Sequence, residues 1–193
     1  MNRQPAQVLE PVDVRRVLKH VQTTRYPIRN RAIVLLSFKA GLRACEIAGL
    51  TWPMVLKSNG KPSPTINVCR HIAKQGHARA VPMHPELKSV LKKLHAVQGK
   101  PTEGPVIRSE RLRHMTPRSI VNWFATTYGE LHLDGCSSHS GRRTFITRSA
   151  RLIHQTGGSL RDVQELAGHR ALTTTERYIA GNRMSQRALI KLV

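Results

Sequence analysis

The amino-acid sequence predicts a mainly α-helical chain of the α+β class, with one small three-stranded antiparallel sheet. Apolar residues recur at helical spacing through most of its length. From Trp52 to Pro82 that spacing gives way to short runs punctuated by Pro and Gly, which read as strands and turns. Helical spacing then resumes, so helices flank a single sheet.

In order along the chain, Val14, Val17, Leu18 and Val21 fall on one face of a first helix, with Asp13 placed to cap its start and Pro27 marking its end. A second helix runs through RNRAIVLLSFKAG, with Ile33, Leu36 and Ala40 facing inward and Gly41 stopping it. Arg43 lies just beyond that stop. The runs MVLK, TINVCR and RAVPM are the three strands, and AKQGHA is the last turn. PELKSVLKKLHAV carries the stripe Leu87, Val90, Leu91 and Leu94, and TPRSIVNWFATTYGEL is a further helix beyond the loop QGKPTEGP. Gly157 and Gly158 end a helix that begins near Ser140. Ser159 with Asp162, and Thr173 with Glu176, have the spacing of capping boxes, which puts Tyr178 on a short helix closed by Gly181. Trp52 and Trp123 are expected in the core.

The 193 residues are expected to form one domain, with an N-terminal arm over about residues 1–10 and a C-terminal tail over about 182–193. Lys and Arg number 32 against 11 Asp and Glu, a net charge of +21 spread along the chain, and such a surface expects a polyanion. Double-stranded DNA is the preferred partner, because dispersed cations neutralise backbone phosphates and release counterions. Aromatic residues make up only 4%, which disfavours single-strand or RNA recognition by base stacking. No apolar run approaches the roughly 20 residues of a membrane span, and the N-terminus lacks a signal-peptide core, so no membrane association and a cytoplasmic location are expected. Cys45, Cys69 and Cys136 read as reduced, partly buried thiols. His71, His77 and His84 lack ligand spacing, so neither a metal nor a cofactor is expected.

Cleaving a phosphodiester without a metal needs cations on the phosphate, an in-line nucleophile and a proton for the leaving 5′ oxygen. A planar guanidinium forks onto two phosphate oxygens, which makes Arg43 and Arg142 candidates for the first task. A tyrosine phenolate attacks phosphorus and leaves again readily, conserving the bond energy, and Tyr178 suits the second. Lys74, on the turn AKQGHAR, suits the third. His139 and His169 are placed to bond the phosphate or relay the tyrosine proton.

The segments GLRACEI, AKQGHARAVP, HSGR and AGHRALTTTERY, in that order, resemble the catalytic domain of the tyrosine recombinase or phage integrase family. The resemblance covers roughly residues 8–181 and implies that family's helical catalytic fold. It implies that Arg43 and Arg142 clamp the phosphate, Lys74 is the general acid and Tyr178 the nucleophile, nine residues after His169 of the G-H motif. His139 matches the first residue of H-x-x-R, and Glu46 a supporting acid three positions after Arg43. The implied activity is site-specific cleavage and rejoining of DNA through a 3′-phosphotyrosyl intermediate, and the implied C-terminal tail docks on a neighbouring protomer to give a dimer or tetramer on DNA. His77, Arg79, Arg143 and Arg170 are further candidates for DNA contact.

Two departures stand out. HSGRR replaces the commoner H-x-L-R-H, so Gly141 removes an apolar anchor and Arg143 adds a charge. Only a short arm precedes the first helix, so the separate N-terminal core-binding domain of most members is expected to be absent, as in the short recombinases of fimbrial phase variation. The alternative reading is a catalytically silent DNA-binding regulator or accessory protein with the same fold; a topoisomerase-like nicking and closing enzyme is a third.

Overall fold

A computed structural model describes residues 5–73, 76–178 and 190–191. Eight helices and two strands follow in the order α1 (Pro11–His20), α2 (Pro27–Ala40), α3 (Ala44–Gly49), β1 (Thr65–Val68), β2 (Arg79–Pro82), α4 (Pro85–Val97), α5 (Pro117–Glu130), α6 (Ser140–Leu152), α7 (Leu160–Ala167) and α8 (Leu172–Glu176).

The centre of the molecule is α2, which packs against both α4 and α6. Its residues Ala32 to Phe38 are buried all round, beyond the single inward face that the sequence spacing suggests. Each large apolar side chain taken fully from water here contributes about 1.5–3 kcal/mol, so this helix anchors the core. Pro27 occupies its first turn, where the missing N–H costs nothing. Gly41 ends it with φ +64°, and a Cβ there would lie 2.4 Å from the Phe145 ring, so both backbone and space require glycine.

Around this centre, α4 buries Leu87, Val90, Leu91 and Leu94, the stripe read from its spacing. Helix α5 is capped by Thr116, whose hydroxyl accepts from the Ser119 N–H, and packs on α3. Helix α7 starts with the expected box: the Ser159 hydroxyl accepts from Arg161 N–H while Asp162 accepts from Ser159 N–H at 2.7 Å. Trp52 is fully buried, and Trp123 is partly buried against the core.

Three local expectations are corrected. The sheet has two strands among the described residues, paired antiparallel with Ile66 opposite Val81 and Val68 opposite Arg79. MVLK contributes only an isolated bridge, Leu56 to Pro62, because the chain turns back at Gly60 before a ladder can extend. Asp13 is not the cap of α1: the helix begins two residues earlier at Pro11, and Asp13 pairs with Arg16 one turn on. Thr173 does not cap α8, which starts at Leu172 with Ala171 preceding it, and Tyr178 lies in the turn after that helix, its N–H on Thr175 O. Gly181 and nearly all of the tail lie outside the described residues.

Candidate active site

Arg142 sits in the first turn of α6 and is 4% exposed. A buried cation needs compensation, and two helix ends supply it. Its guanidinium donates to Gly41 O, just past the end of α2, at 2.6 Å and to Ala167 O, the last residue of α7, at 2.5 Å. The carbonyl ends of helices carry partial negative charge, so both bonds suit a guanidinium. Burial and the neighbouring Arg43 lower its pKa to about 9, against the pull of Glu46, and it remains a cation at neutral pH. Each outer nitrogen keeps a second N–H for a ligand.

Arg43 precedes α3, where its N–H donates to Glu46 Oε2 at 2.8 Å and its Nη1 to Glu46 Oε1 at 3.1 Å. The Glu46 side chain is wholly buried. Its second cation is Arg79, which forks onto both carboxylate oxygens at 2.8 Å. Burial alone would raise the Glu46 pKa, but the bonds and charge of Arg79 and Arg43 outweigh it and hold the carboxyl below its ordinary value.

His169 follows Gly168, which closes α7 with φ +63°. A Cβ at that glycine would come within 3.0 Å of Arg79 Cδ, so the G of the G-H motif has both a conformational and a steric reason. The Gln164 amide, buried beneath, donates to His169 O at 3.0 Å and Arg170 O at 3.3 Å and fixes this turn. Nδ1 of His169 bonds the buried Thr175 hydroxyl at 2.9 Å, which leaves Nε2 as the nitrogen available to a ligand. Burial, followed by the charges of Arg142, Arg43 and Arg79, lowers the His169 pKa to about 4, so the imidazole is neutral at pH 7.

Tyr178 is half-buried against Ile146, Ala150, Val163 and Ala167. Its ring stacks on His169 with centroids 5.7 Å apart and planes 20° from parallel, and the Arg143 guanidinium lies 5.6 Å from its centroid. Nε of Arg143 is buried and has no hydrogen-bond partner among the described residues.

Arg43, His139, Arg142, His169 and Tyr178 line one cavity of about 800 Å³, drawn from the start of α3, the first turn of α6 and the turns on either side of α8. Arg143 and Arg170 line it as well. Lys74 lies outside the described residues, on the connection from β1 to β2. His77 and Arg170 are exposed in the adjoining groove, whereas Arg79, expected on a DNA-facing hairpin, turns its guanidinium inward with only 6% of the side chain exposed. The three cysteines are free and half-buried. Among the described residues, no helix is long and apolar enough to cross a membrane.

Four contributors had no signal in the sequence. Thr175 and Gln164 hold the His169 turn, and Pro5 and Ala6 of the arm form part of the cavity wall. The arm is held there by Gln7 N–H on Gly135 O and Leu9 N–H on Thr144 Oγ1.

The chain matches the phage integrase family over residues 7–184. The tyrosine recombinase XerC of Pelobacter propionicus is 28% identical over 155 residues, covering 79% of this chain and 48% of its own length. XerD of Vibrio vulnificus is 30% identical over 169 residues, covering 82% of this chain and 52% of its own. The chain thus spans about half the length of the curated relatives it matches. The Tn1549 transposon integrase, in complex with transposon right end DNA, superposes with a TM-score of 0.77 at 19% identity over 100% of this chain and 67% of that one. XerA recombinase does so with a TM-score of 0.73 at 20% identity, over 96% and 64%. Those superpositions speak for the fold, and the motif residues gathered in one cavity sit within the matched span: the chain belongs to the phage integrase family.

Proposed function

We propose that this chain is a site-specific DNA recombinase that cuts and rejoins duplex DNA through a 3′-phosphotyrosyl intermediate. The observation that carries the reading is the convergence of Arg43, His139, Arg142, His169 and Tyr178 on one cavity. The family members named above are tyrosine recombinases, and one structural neighbour is a complex with DNA, which supports DNA as the partner here. A cytoplasmic location goes with that partner.

In this reading Arg43 and Arg142 hold the non-bridging oxygens of the scissile phosphate and offset the charge that grows on them. The Tyr178 oxygen attacks phosphorus and forms the new P–O bond as the bond to the 5′ oxygen breaks. The departing oxygen takes a proton from Lys74, and the phenolic proton passes to a neighbouring base, with the His169 Nε2 available. The freed 5′-hydroxyl of a partner strand reverses the sequence and releases Tyr178, so neither ATP nor a metal is called for. The C-terminal tail, by docking on a second copy, would couple active sites in a dimer or tetramer on DNA.

The test uses a duplex nicked beside the cut, so that the short cleaved fragment diffuses away and the covalent complex accumulates. Wild type gives a denaturant-resistant protein–DNA adduct, and Tyr178→Phe gives none while binding the duplex equally well. Absence of an adduct from wild type with DNA affinity intact would leave a silent DNA-binding protein instead.

A further inference from the structure

Arg79 attracts notice because it is a long cation in a strongly basic chain, yet its head group is turned away from solvent. Its side-chain hydrogen bonds run to segments that carry candidate site residues. Two N–H groups fork onto Glu46, which in turn holds both the backbone and the side chain of Arg43. Nε donates to Leu166 O at 3.0 Å, at the end of α7, one residue short of the Ala167 carbonyl that holds Arg142 and three short of His169. The Arg79 stem runs beneath Gly168, where a Cβ would touch it. Its backbone opens β2, directly after the connection that carries Lys74.

We propose that Arg79 is a positioning residue of the cleavage site: by bridging Glu46 and Leu166 O it fixes Arg43, the His169 turn and the start of β2 relative to one another. This rests on the recombinase reading. The fork geometry is what matters. A guanidinium presents parallel N–H groups to both carboxylate oxygens and a third to the carbonyl, whereas an ammonium is a point charge that cannot satisfy all three in these directions. Its contribution is to placement, and small displacements of groups that act together on one phosphorus are costly in rate.

Two variants test this. Arg79→Lys keeps the charge and loses the fork. Arg79→Met with Glu46→Gln removes both buried charges together, so that no unpaired carboxylate is left inside. In both, single-turnover cleavage of the nicked duplex falls by about tenfold or more, as expected for misplaced catalytic groups. Duplex affinity stays within about twofold and the slope of log affinity against log salt is unchanged, whereas a phosphate contact would take about 0.9 from that slope. The midpoint of the His169 titration, followed by NMR, rises in Arg79→Lys because the turn at Gly168 is released. A reduced slope, or cleavage and His169 midpoint both unaltered in Arg79→Lys, overturns the inference. If wild type itself forms no adduct, the recombinase reading falls, and the slope and the His169 midpoint still decide the place of Arg79.

Discussion

The His169 imidazole lies almost parallel to the Tyr178 ring, with their centroids 5.7 Å apart. The proton affinity of the same imidazole is strongly lowered, its pKa falling from 6.5 to about 4 through burial and the surrounding guanidinium groups. Because the folded value is the lower one, the unfolded chain takes up a proton between pH 6.5 and about 4 that the folded chain refuses. Stability on this account is unaffected above pH 6.5, declines as pH falls through that window, and levels off below about 4. NMR titration of the His169 ring in the free protein is expected to give a midpoint well below 6, and a midpoint near 6.5 would refute the environment described.

Glu46 shifts in the same acid direction for the opposite chemical reason. Its folded carboxyl is held below the ordinary value, so the stability it contributes is present above pH 4.5 and is lost as pH falls through the depressed value. Glu46→Gln should therefore flatten the acid end of a stability profile while lowering stability at pH 7, where Arg79 and Arg43 lose their counter-charge. Urea melts between pH 3 and 7 check this; parallel profiles for the two proteins would contradict it.

Gly141, the departure from H-x-L-R, has a packing reason. A Cβ there would lie 2.2 Å from Ser37 Oγ and 2.9 Å from two atoms of the Phe38 ring, because α6 approaches α2 at that point. Gly141→Ala is expected to destabilise by about 1–3 kcal/mol through overpacking, despite the better helix propensity of alanine. Ser37 Oγ is buried without a hydrogen-bond partner among the described residues, so Ser37→Ala alone should be neutral or slightly stabilising. The double variant should recover part of the Gly141→Ala loss, leaving the Phe38 contact. Thermal denaturation of the four proteins measures this coupling, and strict additivity would argue against the contact.

Arg143 lies against the other partner of the stack. Its guanidinium at 5.6 Å from the Tyr178 centroid is expected to contribute about 0.5–1 kcal/mol of cation–π attraction at a half-exposed site. Arg143→Met keeps the stem and loses that attraction. Melting should change by no more than that amount, while adduct formation slows because the ring is less firmly held. An adduct rate equal to wild type would remove Arg143 from the placement of Tyr178.

Much of the helical frame could be read from local pattern, since Leu87, Val90, Leu91 and Leu94 mark a buried face by spacing alone and Ser159 with Asp162 mark a helix start. The grouping of five candidate residues in one cavity was legible because they occur in a fixed order with tight local spacings, His139 to Arg142 and His169 to Tyr178. What could not be read depends on partners distant in sequence. Arg79 looks like any other cation until Glu46, 33 positions away, is seen beside it. Thr175 is one of three successive threonines, and only the folded turn shows which of them meets His169. MVLK has the composition of a strand, but without a neighbour along its length it forms a single bridge.

Around Arg142, the positive charges of Arg43 and Arg79 press on its guanidinium, with the Glu46 carboxylate as a counterweight. Such a crowd of like charges, held by the Glu46 carboxylate and by carbonyl groups at helix ends, pushes outward against the fold that confines it. On the proposed recombinase reading, an entering phosphate would relax that pressure before any bond is made or broken, so that the substrate would brace the protein as well as being its target.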